Sequence, residues 1–132
     1  FLKKLDEYFD SSLGTNIEKL QNFAKYVPRQ DLTNFLARYE IFKKILNVPG
    51  SIIECGVLFG GGLMTFAQLS SIFEPVNFER KIIGFDTFSG LTKFSKYDKM
   101  SISEYAHEKA FSINSLKDLE KCIEIYDKRR CS

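Results

Sequence analysis

Ser51-Ile52-Ile53-Glu54-Cys55-Gly56-Val57-Leu58-Phe59-Gly60-Gly61-Gly62 is the stretch on which the fold turns. A short apolar run stands behind Val48-Pro49-Gly50 and meets an acid, a glycine and then three glycines in a row. Leu63-Met64-Thr65-Phe66-Ala67 follows with the spacing of a helix, and the apolar pattern runs on to Phe73. Strand, glycine turn and helix in that order is how an α/β sheet brings a nucleotide to a helix N-terminus. A second strand-like run, Lys81-Ile82-Ile83-Gly84-Phe85-Asp86, also ends in an acid. Residues 74–80 connect the two units, and Pro75 forbids continuing the helix through them.

Upstream, Leu2, Leu5 and Phe9 fall at helical spacing, and Ile17, Leu20, Phe23 and Ala24 repeat it behind a Thr15-Asn16 cap. Leu32, Phe35, Leu36, Tyr39, Phe42 and Leu46 form a longer stripe, with Asp31 as N-cap and Pro49-Gly50 as stop. Residues 1–47 therefore read as a helical lead-in packed against the sheet, its aromatics serving as packing. Residues 48–132 read as the first half of a sheet domain. After the turn Thr87-Phe88-Ser89-Gly90, residues 91–113 are polar and weakly periodic, with a short helical piece expected near 103–109. Ser115-Leu116-Lys117-Asp118 has the form of a capping box and opens a last helix carrying Leu116, Leu119, Ile123 and Tyr126 on one face.

Composition narrows the function classes. The net charge of +2 does not argue for a nucleic-acid or membrane surface, and Lys93, Lys96 and Lys99, with Asp98 among them, read as a solvated loop. Cys55, Cys122 and Cys131 are too widely spaced for a zinc motif and odd in number for a disulfide framework, so reduced thiols and a cytoplasmic setting are expected. No apolar run approaches the roughly 20 residues of a membrane span. With no third strand after Asp86 to help bury a parallel sheet, the chain reads as a fragment of a longer protein.

The chemistry lies at the two strand ends. Gly56, Gly60, Gly61 and Gly62 let the backbone turn sharply and approach a ligand, and amides opening the next helix are free donors. The spacing is not the Gly-x-Gly-x-x-Gly of dinucleotide sites, and no lysine follows as in a phosphate loop. An acid before the turn repels pyrophosphate and welcomes an ammonium group, which points to a zwitterionic ligand such as the methionine part of S-adenosylmethionine. Asp86 occupies the position that takes ribose hydroxyls in doubly wound sheets, although it lies 30 residues beyond Gly56 (86 − 56) rather than about 20. A different Rossmann-type enzyme using NAD, or a non-catalytic binding module, is the alternative. His107, the lone histidine, and Tyr97 and Tyr105 read as loop residues, and no catalytic residue is assigned.

The run from Val48 to Val57, the pair Gly60-Gly61, and Ile83-Gly84-Phe85-Asp86-Thr87-Phe88-Ser89-Gly90 resemble the macrocin O-methyltransferase (TylF-type) family of class I S-adenosylmethionine-dependent methyltransferases. Arg38-Tyr39-Glu40 sits where that family has its arginine-containing lead-in helix. The resemblance covers residues 31–90 and implies a Rossmann-like α/β fold, here limited to the lead-in and the first two β/α units. It implies that Glu54, Gly56, Gly60 and Gly61 line the methionine end of the cofactor. Asp86, with Thr87 and Phe88, would hold the ribose and flank the adenine. The acceptor would be a hydroxyl of a small molecule such as a sugar or natural product, with homo-oligomerisation left open.

The chain departs from the family at three points. Phe59 replaces the arginine many relatives carry before the glycine pair, and Leu91-Thr92 stands where relatives often have proline. The later strands, whose acids bind a divalent metal such as Mg, have no counterpart, so the 132-residue chain by itself is expected to be inactive.

Overall fold

A computed structural model describes residues 1–90 and 112–130. The helices α1 (Leu2–Ser11), α2 (Asn16–Gln21) and α3 (Arg29–Ile45) come first, with a 3-10 turn at Phe23–Lys25. Strand β1 (Ile52–Cys55), helix α4 (Gly61–Phe73), strand β2 (Ile82–Phe85) and helix α5 (Leu116–Arg130) follow. The chain divides into two compact units, Phe1–Ala37 and Arg38–Ser132, with the division inside α3.

In the first unit, Thr15 caps α2 through a reciprocal capping box with Glu18, as its sequence position suggests. The buried residue of α2 is not one of its apolar stripe. Ile17 and Leu20 are exposed and Lys19 is buried. Its ammonium donates to the carbonyls of Phe9 and Asp10, which the end of α1 leaves without helical partners, and lies 4.9 Å from the centre of the Phe9 ring. Tyr26 closes this cluster: its ring stacks on Tyr8 and meets Phe9 edge-on, and its hydroxyl is 3.0 Å from that of Ser12.

Helix α3 begins two residues before the expected cap. The Pro28 carbonyl takes the Leu32 amide at 3.0 Å, which leaves Asp31 in the first turn, where its charge suits the helix dipole. The far end of α3 belongs to the second unit. There Phe42 is fully buried, and the Tyr39 and Phe42 rings lie 5.8 and 6.3 Å from Phe73 at the end of α4.

The two strands are parallel, pairing Ile52 with Ile82 through Cys55 with Phe85. Val57, Leu63 and Leu119 form the core beside them, with Met64 and Ile82 half-buried against it. Gly84 makes this packing fit, because a Cβ there would come within 2.7 Å of Val57 and 3.2 Å of Leu63. Behind the sheet, Arg80 forks onto Glu74, with Nε donating at 2.6 Å and Nη2 at 2.9 Å. The same guanidinium donates at 3.0 Å to the carbonyls of Ile45, Val48 and Gly50. The connector therefore fastens the end of α3 and the approach to β1 with one side chain.

Helix α4 also starts two residues before its apolar pattern, at Gly61, with Gly60 as a left-handed cap. Most of residues 91–113 lie outside the described residues, including the short helix expected near 103–109, Lys93, Lys96, Lys99, Tyr97, Tyr105 and His107; so does Cys131. Cys55 and Cys122 are free. Among the described residues no helix is long and apolar enough to cross a membrane.

Candidate functional site

The turn after β1 is shaped by side chains that come later in the chain. Gly56 has φ +86°, and its amide donates to the Phe85 carbonyl at 2.8 Å, which continues the strand pairing by one residue. The next two amides belong to Asp86: Val57 donates to Oδ2 at 2.6 Å and Leu58 to the same oxygen at 3.0 Å. The Phe88 amide donates to Oδ1 at 2.7 Å. These amides, Leu58 first and then Phe88, hold the Asp86 carboxyl below its ordinary range. Leu58 and Phe88 both have positive φ, 53° and 52°, a conformation costing about 1–2 kcal/mol for a residue with a side chain. Asp86 bonds the amides of both.

Glu54 leaves β1 beneath the first turn of α4. A Cβ on Gly62 would fall on its carboxylate and lie 2.9 Å from the Arg38 guanidinium, so any larger residue there would displace both side-chain ends. Arg38 Nη2 stands 3.8 Å from Glu54 Oε1, close enough for charge attraction but too far for a hydrogen bond. The other oxygen, Oε2, is buried without a hydrogen-bond partner among the described residues. Burial pushes the Glu54 carboxyl up, against the opposing pull of Arg38 and the Leu63 amide.

The glycines divide into two kinds. At Gly56 and Gly61 nothing lies within 4 Å of the place a Cβ would take, so the backbone faces open space. Gly60 and Gly62 instead make room for the protein itself, since a Cβ on Gly60 would lie 2.5 Å from Leu119. At the end of β2, Thr87 spends its hydroxyl on the Gly90 carbonyl at 3.0 Å, and the Phe88 side chain is half-buried. Of the residues expected to form a site, Glu54, Gly56, Gly60, Gly61, Asp86, Thr87 and Phe88 all lie on the turn and the two strand ends that frame it.

Two participants were not assigned to the site from sequence. Arg38 stands one helical turn before Phe42, on the stripe that the apolar pattern directs toward the sheet, and that spacing is the signal for it. Ser115, read as a cap, is buried and its hydroxyl donates to the Leu58 carbonyl; no local pattern announces this. Among the described residues no group of three or more His, Cys, Asp or Glu side chains could hold a metal ion.

Among solved structures, the chain is similar to CalS11, described as a calicheamicin methyltransferase. The match has a TM-score of 0.84 and 30% identity, and covers 91% of this chain and 47% of that one. This is the Rossmann-like methyltransferase fold. A structure of apo CalS11, described as a TDP-rhamnose 3'-O-methyltransferase of calicheamicin biosynthesis, matches with a TM-score of 0.64 and 37% identity over 67% of this chain. The chain spans 47% and 38% of the lengths of these two methyltransferases. No protein-family model matches it, and no curated protein matches it significantly. The parallel pair with its glycine turn, as expected from the sequence, is thus part of a methyltransferase fold.

Proposed function

We propose that this chain forms the cofactor-holding part of an S-adenosylmethionine-dependent O-methyltransferase of the TylF type, whose acceptor is a hydroxyl on a sugar or related small molecule. The observation that carries the reading is Glu54, a carboxylate with one buried oxygen unpartnered among the described residues, beside the Arg38 guanidinium at a glycine turn that lacks a lysine. An acid and a base side by side complement the ammonium and carboxylate of an amino acid, and a phosphate would be repelled by the acid. The likeness to two structures of a sugar O-methyltransferase supports the same assignment.

The cofactor would supply an electrophilic methyl group on a sulfonium. The chain's own residues bind and orient it. Gly56 and Gly61 give close backbone approach, and Glu54 accepts the ammonium. Among the described residues Asp86 spends acceptor positions on three amides of the turn, and a ribose hydroxyl would meet the carboxylate at Oδ1. Transfer needs the nucleophile in line with the methyl, so fixing the cofactor's position is the service these residues perform.

The test is calorimetric titration of the protein carrying this sequence with S-adenosylhomocysteine. Glu54→Gln is expected to weaken binding about tenfold or more, equivalent to about 1.4 kcal/mol. Its melting temperature is expected not to fall, because the substitution removes a charge that burial disfavours. No binding by the wild type, or binding of NAD in its place, would overturn the proposal.

A further inference from the structure

Ser115, the residue before helix α5, lies 57 residues after Leu58, yet its side chain is seated on the glycine turn. Ser115, 5% exposed, donates its hydroxyl to the Leu58 carbonyl, while Asp86 accepts the Leu58 amide from the other side. Both peptide groups of Leu58 are therefore held, one by β2 and one by α5. One turn along α5, Leu119 is 6% exposed and fills the space that a side chain on Gly60 would need.

We infer that the start of α5 is a clamp on the 57–60 turn, and that Ser115 and Leu119 are positioning residues for the ligand bound there. The inference rests on the proposed cofactor reading for what the turn binds, but not for the clamp itself. Leu58 sits at φ +53°, between the open glycines Gly56 and Gly61. Released at its carbonyl, the Leu58-Phe59 peptide can rotate, and that moves the backbone against which the ligand rests. Neither residue touches the ligand; each acts through the turn.

The clamp and the ligand are tested by separate measurements on Ser115→Ala and Ser115→Thr. Hydrogen exchange at the Val57, Leu58 and Gly60 amides is expected to rise about tenfold in Ser115→Ala and to recover in Ser115→Thr, which keeps the hydroxyl. Titration with S-adenosylhomocysteine is expected to show affinity about five- to tenfold weaker in Ser115→Ala, with recovery in Ser115→Thr. Unchanged exchange at all three amides in Ser115→Ala overturns the clamp, whatever the ligand does. Faster exchange with unchanged affinity overturns the positioning role. If the wild type does not bind S-adenosylhomocysteine, the cofactor reading and the ligand half of this inference both fall, and the exchange arm still decides the clamp. Should Ser115→Ala lower the melting temperature markedly, Leu119→Val, which withdraws the side chain from Gly60, carries the same two measurements: faster exchange and weaker affinity support the clamp, and no change in either overturns it.

Discussion

Asp86 binds three backbone amides and is held charged by them, so its contribution to stability has a definite pH sign. Its folded pKa lies below the unfolded one. The stabilisation is therefore complete above the ordinary carboxylate range and is lost as pH falls through the depressed folded value. Asp86→Asn is expected to be less stable than wild type at pH 7, with the two converging at the acid extreme, as read from urea midpoints across pH. A gap that stays constant with pH would contradict this. Glu54 has the opposite sign: its raised pKa costs stability above that value, and acidification relieves the cost. Both acids were legible in the sequence as strand ends next to glycines. That Asp86 faces the turn was not, because its partners are main-chain amides 28 and 29 residues earlier, and an amide has no letter of its own.

Among the elements, the connector between α4 and β2, a loop by its sequence, serves as a brace. Arg80 and Glu74 are almost wholly buried, with side-chain exposures of 4% and 8%. Removing one partner of such a pair leaves the other charge stranded. Arg80→Ala is expected to cost about 3–5 kcal/mol in denaturant unfolding, and Arg80→Lys to restore only part of it, since an ammonium lacks the planar fork that reaches Glu74 and three carbonyls together. A loss below about 1 kcal/mol for Arg80→Ala, the size of an exposed pair, would show the brace to be idle. Sequence could not reveal it, because three of its acceptors are carbonyls 30, 32 and 35 residues away. The early starts of α3 and α4 have a simpler cause. Arg29, Gln30, Gly61 and Gly62 carry no apolar signal, so periodicity alone places each helix start too late.

Across the whole molecule, the order of elements and the parallel pair were legible because both strands are short apolar runs ending in acids. So was the thin cover of the sheet, read from the lack of a strand-like run after Asp86; which side chains do pack on it was not, since that depends on surface beyond either strand. Ile53 and Phe85 remain 60% and 58% exposed, where a parallel sheet ordinarily has both faces covered. An open groove of about 950 Å³ runs between α4, β2 and α5, lined by Met64, Ala67, Ile82, Ile123 and Tyr126 among others. The isolated 132-residue chain is accordingly expected to bind the dye ANS and to associate with rising concentration in analytical ultracentrifugation. A dye-silent monomer with a sharp cooperative melt would contradict this.

The bond from Ser115 to Leu58 also sets an order of events during synthesis. Translation proceeds at about 5–20 residues per second, so the 57 residues between these partners take roughly 3–11 s to be made. Through that interval the glycine turn is out on the nascent chain with its carbonyl latch not yet built, and Asp86 arrives before Ser115 does. The turn is finished in two stages, and on the proposed reading a cofactor would meet it complete only after α5 has been made.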